Sequence, residues 1–128
     1  MERKEHIKEA KKYLKFYGFY EPFYIRMFGS RKAPAIGERW KKIDKNLTEI
    51  EQVLNKMYPE YKQILLERYH EKLGFCEQAE KYGYGLSRWH QYITLACLEF
   101  ADKGDIKALN QPLQKPSKRL IEAIKLAK

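Results

Sequence analysis

The sequence predicts an all-α protein, a bundle of helices, and three observations predict it. Apolar residues recur at three- and four-residue steps over most of the chain, the period of one helix face. No stretch of any length alternates apolar and polar residues as a half-buried strand does. Glycine is sparse, seven residues in 128, so turns are few. At 44% hydrophobic residues, a chain of this length can close a core without a metal or disulfide.

Each element follows from its own pattern. Residues 2–17 set Ile7, Ala10, Leu14 and Tyr17 on one helical face. Gly18 is the expected end of that helix. His6, among charged neighbours, is expected in solvent. The next stretch, "FYEPFYIRMFGSRKAPAIG", holds Pro22, Gly29, Pro34 and Gly37 as breakers. It is too apolar for a free linker and is expected to wrap the body and bury its aromatics. From Glu38, the residues Trp40, Ile43, Leu47, Ile50, Leu54 and Met57 alternate steps of three and four, a heptad seam. Over so few heptads the seam reads as packing within the chain's own bundle, ahead of a coiled-coil dimer. Pro59 suits the first turn of another helix, with Tyr61, Ile64, Leu65 and Tyr69 facing inward and Gly74 as its break. Two helices then flank Gly83–Gly85. After Gly104 a short element with Ile106 and Leu109 is interrupted by Pro112 and Pro116. Ser117 can cap a last helix, "KRLIEAIKLAK", whose apolar side is Leu120, Ile121, Ile124 and Leu126. The chain divides into a basic, aromatic-rich part with the long connecting helix (1–58), a central module (59–103) and a basic tail (104–128).

Charge narrows the function. The net charge is +9 and the pI about 9.5, a balance that favours a polyanionic partner. Residues 1–45 hold thirteen Lys/Arg against six Asp/Glu, residues 46–103 seven against nine, and residues 104–128 six against two. Basic flanks therefore bracket a nearly neutral centre. No run reaches the ~20 apolar residues of a membrane span, and "MERKEHIKEAKK" has no apolar core of a signal peptide. Cys76 and Cys97 are expected as reduced thiols of a cytoplasmic protein. No membrane partner and no cofactor is implied.

The central module carries the most specific pattern, "GFCEQAEKYGYGLSRWHQYITLACLEF". A helix-turn-helix needs a small residue where its helices cross, and Ala79 fits. It needs a residue tolerant of positive φ in the turn, and Gly83 fits. Tyr84 follows as the apolar turn residue. Trp89, Ile93 and Ala96 plug the core from the second helix. That leaves Leu86, Ser87, Arg88, His90 and Gln91 outward, the expected base-reading face. Arg can pair with guanine and Gln with adenine through two hydrogen bonds each. Lys115, Lys118, Arg119 and Lys125 in the tail are expected phosphate contacts.

The stretch from Tyr58 to Ala101 resembles the fourth conserved region of bacterial sigma factors. In that family a proline-containing turn leads into a helix ending in Leu-x-Arg-Tyr, a short loop follows, and two further helices end in the recognition helix. Pro59, Leu66, Arg68, Tyr69, Leu73, Glu77, Ala79, Gly83 and Ala96 fall in matching places. Gln91 matches a position where sigma factors often place a DNA-contacting glutamine. Gly85 stands where a Ser or Thr cap is usual, and Trp89 where a small aliphatic plug is. The resemblance covers about a third of the chain. A free-standing module behind a basic helical part resembles the ArpU-type late-gene regulators of phages and mobile elements. It implies a transcription activator acting on double-stranded DNA in a bacterial cytoplasm, with RNA polymerase as a partner. Short operators further suggest a homodimer, formed through the aromatic N-terminal part or the long helix.

Other readings compete. The aromatics Tyr13, Phe16, Tyr17, Phe19, Tyr20, Phe23, Tyr24 and Phe28 could stack single-stranded bases, if exposed beside Lys11, Lys12, Arg26 and Lys32. They could equally be the working surface of a structural or protein-interaction adaptor. His70, Cys76, His90 and Cys97 lie 6, 14 and 7 residues apart, without the close ligand pairs of a zinc site. No glycine-rich phosphate loop, nucleophile elbow or paired acidic motif marks an enzyme.

Overall fold

A computed structural model describes residues 3–104 and 115–127. All regular structure among them is helical: α1 (Arg3–Phe28), α2 (Glu38–Lys56), α3 (Pro59–Tyr69), α4 (Phe75–Tyr82), α5 (Leu86–Lys103) and α6 (Lys118–Leu126). The expected element around Ile106, Leu109 and Pro112 lies outside the described residues. No helix among the described residues is long and apolar enough to cross a membrane.

The α2 seam packs inside the chain. Ile43, Leu47, Ile50, Leu54 and Met57 are buried, and Trp40 lies half-buried against Tyr20, Tyr24 and Phe28 of α1. Helix α5 is the central element, packed on α1, α2, α3 and α4, while α6 lies on α3 and α4. Buried residues of all six helices form one core, from Ala10 and Leu14 through Leu47, Ile64 and Trp89 to Leu120 and Ile124.

Four expectations fail, the smallest at the last helix, where Leu120 and Ile124 are buried but Leu126 is exposed and not on the packed side. Helix α1 does not stop at Gly18 but runs through Gly18 and Pro22 to Phe28, so the aromatic stretch is helix for its first ten residues and not an irregular wrap. Gly18 is a contact glycine. A Cβ there would sit 2.0 Å from the Tyr69 carbonyl oxygen, so its bare backbone lets α1 lie against the end of α3. Pro22 removes one helical N–H, yet the turn beyond it is held by packing: Tyr24 is fully buried, with Phe28 tilted against it at 4.7 Å and Trp40 edge-on at 6.1 Å. His6 is buried rather than solvated, because it shares the inward face with Ala10 and Leu14 at four-residue steps. Finally, α3 ends at Tyr69, and Gly74 precedes α4 instead of ending α3.

The loop between α1 and α2 is clamped. Arg31 donates to Asp44 at 2.8 Å and to both oxygens of Glu51 at 2.7 and 3.0 Å. Its guanidinium lies 4.6 Å from the centroid of the Tyr24 ring, and Tyr17 donates to Glu51 at 3.1 Å.

Candidate nucleic-acid interface

Helices α4 and α5 are joined by three residues, Gly83, Tyr84 and Gly85. Gly83 has φ +74, a left-handed conformation that costs a side-chain-bearing residue energy and glycine none. Its N–H donates to the Glu80 carbonyl at 3.2 Å, and the Tyr84 N–H reaches back to Ala79 at 2.9 Å. This paired closure satisfies the last carbonyls of α4 and fixes where α5 begins. Tyr84 folds inward and is buried. Gly85 stands at the N-cap of α5 with no side-chain hydrogen bond.

Behind the turn lies an aromatic wall. Trp89 is fully buried, stacked on Tyr82 at 5.1 Å and Tyr84 at 5.8 Å, with Tyr92 edge-on at 6.1 Å. The Trp89 ring thus fills, against the two tyrosines, space that a small aliphatic plug would leave empty. Ala79, Ile93 and Ala96 are buried beside it.

A polar network ties this wall to α3. Trp89 Nε1 donates to Gln78 Oε1 at 3.1 Å, and Gln78 Nε2 donates to the Ile64 carbonyl at 2.8 Å and to Glu67 at 3.2 Å. Tyr82 and Lys81 donate to the two Glu67 oxygens at 2.6 and 2.5 Å. Burial alone would raise the Glu67 carboxyl, but the bonds from Lys81, Tyr82 and Gln78 outweigh it and hold it below the usual carboxylate range. The Tyr82 phenol, buried and bonded to Glu67, is pushed up to about 12. No spacing in the sequence announces this network, because its partners lie 11 to 15 residues apart on different helices.

In front of the wall, Leu86, Ser87, Arg88, His90 and Gln91 are all exposed. At 3.6 residues per turn they occupy one continuous arc of α5 outside the stripe of Trp89, Ile93 and Ala96, from Leu86 beside that stripe to Ser87, Gln91 and Arg88 away from it. Ser87, Arg88 and Gln91 make no side-chain hydrogen bond or ion pair among the described residues, and His90 makes only a ring contact with Phe75 at 6.3 Å. Their hydrogen-bonding capacity is unspent.

Helix α6 comes to the same end of the module. Ser117 caps it, accepting from the Leu120 N–H at 3.1 Å, and its hydroxyl lies 3.1 Å from the Tyr92 hydroxyl. Arg119 lies over the Tyr84 ring at 5.1 Å. Of the four tail cations, Arg119 is thus at the turn and Lys118 next to it. Lys115 precedes the cap, and Lys125 lies about 10 Å further along α6. All four are exposed.

The four residues weighed for zinc are apart in role. His70 pairs with Glu21 at 3.1 Å, Cys97 is buried, and Cys76 and His90 are exposed. Among the described residues no group of His, Cys, Asp and Glu is arranged to hold a metal. Comparison with protein-family models, curated proteins and solved structures finds no match to this chain.

Proposed function

We propose that the protein is a sequence-specific, double-stranded-DNA-binding transcription regulator, an activator of phage or mobile-element genes in a bacterial cytoplasm. Helices α4 and α5 are its helix-turn-helix, and α5 is the recognition helix, entering the major groove by its N-terminal end. One observation carries the reading. The outward arc at the start of α5 holds free polar side chains on a helix whose inner face is buried, with Trp89 there hydrogen-bonded to Gln78. Arg88, His90 and Gln91 address base edges, and Ser87 a phosphate. Lys115, Lys118, Arg119 and Lys125 contribute sequence-blind attraction, each phosphate contact adding about 0.9 to the salt slope. The resemblance to the fourth sigma region supports the same assignment and makes RNA polymerase the proposed protein partner.

The test is selection of bound duplexes from a random pool, followed by sequencing. A defined motif is expected. A palindrome or direct repeat would identify two copies on the site, as a homodimer requires. Recovery of no motif above the starting pool would remove the reading and leave a structural or adaptor role.

A further inference from the structure

Helix α1 carries two exposed features that the start of α5 does not use. The first is a line of cations. Lys4, Lys8, Lys11 and Lys15 follow at steps of four, three and four, so they share one helix face over about 17 Å. With Lys12 they line one open trough, which Glu9 also borders. None of the five lysines pairs with an acid among the described residues.

The second is an aromatic row on the adjoining face. Phe19 and Phe23 are 54% and 41% exposed, with ring centroids 5.3 Å apart. They open onto a groove of about 370 Å³ that Tyr20, Arg39, Trp40 and Ile43 also line. The Arg26 guanidinium lies 5.4 Å from the Phe23 centroid. The core beneath already holds Tyr17 and Tyr24, so these two rings are surplus to it.

We propose that α1 binds single-stranded nucleic acid, with the lysine line following the phosphates and Phe19 and Phe23 stacking bases at the Trp40 groove. Either feature alone has a plainer account, a solvated face or a protein contact. Side by side on one helix they supply what a single strand requires, a cationic track and open π-faces. A duplex offers phosphates but keeps its bases stacked inside, so it leaves Phe19 and Phe23 unused. A second copy of the chain would bring Lys12, Lys15, Arg26 and Arg39 against their own equivalents, which like-charge repulsion opposes. From Lys4 to Phe23 the helix spans about 28 Å, in keeping with sites of about 4–16 nucleotides. The proposal is independent of the duplex-reading one, since it uses a different helix and different residues.

The experiment uses the full chain and a fluorescein-labelled oligothymidylate of about twelve nucleotides. Binding is followed by anisotropy at several salt concentrations, with an unlabelled duplex as competitor. Trp40 emission should change on binding. Phe19→Ala and Phe23→Ala should each weaken the oligonucleotide by about tenfold, with melting temperature and duplex affinity unchanged. Lys8→Ala and Lys15→Ala should each lower the salt slope by about 0.7. Arg88→Ala and Gln91→Ala should leave oligonucleotide binding as it was, so this proposal and the duplex reading fail separately. Absence of binding by the unmodified protein overturns the proposal. So does binding that both phenylalanine variants retain, or a duplex that competes as well as the strand, which would make the lysine line a phosphate patch only. Light scattering that shows a dimer lost in Phe19→Ala, with oligonucleotide affinity kept, would assign the row to self-association instead.

Discussion

The start of α5 and the middle of α1 are both exposed, and both combine aromatic rings with cations, but they are built in opposite order. At α5 the rings lie behind: Tyr82, Tyr84, Trp89 and Tyr92 are buried, and the polar groups stand in front. At α1 the rings of Phe19 and Phe23 stand in front, over a core filled by Tyr17 and Tyr24. Hydrogen-bond readout demands side chains on a backbone that does not shift, because a bond weakens steeply outside a narrow distance and angle. The α5 wall, cross-linked to α3 through Gln78 and Glu67, provides that support. Stacking is less exacting, since every base has a π-face. The same residue types therefore suit a reading surface in one place and a sequence-tolerant one in the other.

The largest expected contrast is between Trp89 and Phe19. Trp89→Ala empties the centre of the wall and orphans Gln78, and should cost ~3–5 kcal/mol in denaturant unfolding. Phe19→Ala should stay within ~0.5 kcal/mol of the parent. Equal losses at the two sites would mean that the α1 row is structural after all.

The two glycines that shape these regions should respond differently to the same substitutions. Gly83→Val should cost ~1–3 kcal/mol through backbone strain alone, because a Cβ there meets nothing within 4 Å. Gly83→Asn should recover much of that, since Asn tolerates the left-handed region. Gly18→Ala should also lose ~1–3 kcal/mol, or more, by collision with the Tyr69 carbonyl, and Gly18→Asn should recover nothing. Thermal denaturation of the four variants checks the distinction.

Effects that depend on pH are expected from two buried carboxylates whose pKa values are shifted in opposite directions. Glu67 lies below the usual range despite its burial, so its contribution is present above the ordinary carboxylate pKa and lost as pH falls through its lowered value. Glu67→Gln should cost ~1–3 kcal/mol near neutrality and progressively less in acid. Glu99 is raised by burial, against which the Tyr58 N–H at 2.8 Å gives only partial relief, and its other oxygen has no partner. Its contribution is full below the ordinary value and lost as pH rises through the raised one. Glu99→Gln should therefore remove a loss of stability on the alkaline side of the carboxylate range. Unfolding free energies against pH give both slopes.

Much of this architecture was legible in the residues, for physical reasons that differ by element. The α2 seam and the inward faces of α3 and α5 follow from periodicity, and the break at Gly83 from a conformation that only a few residue types accept. The extent of α1 was not legible. Gly18 and Pro22 are breakers by local propensity, and only the distant Tyr69 carbonyl and the packing of Tyr24 show why the helix continues. His6 looked solvated because its neighbours are charged, although its four-residue step to Ala10 marked the inward face. The outward arc of α5 was readable from Trp89, Ile93 and Ala96. The support beneath it was not, because Gln78 and Glu67 look like ordinary surface residues until α3 and α4 meet.

The most direct measurement of the proposed reading face is a ratio of affinities, for the duplex recovered by selection and for a scrambled one at the same salt concentration. Arg88→Ala, His90→Ala and Gln91→Ala are compared with the parent, and Lys118→Ala serves as the phosphate-contact control. Loss of a bidentate base contact should lower the ratio by ~1–3 kcal/mol, at Arg88 or Gln91 most of all. Lys118→Ala should weaken both duplexes alike and leave the ratio unchanged. A ratio that none of the three α5 substitutions alters, in variants that keep the parent's melting temperature, would contradict the assignment of α5 as the helix that reads DNA.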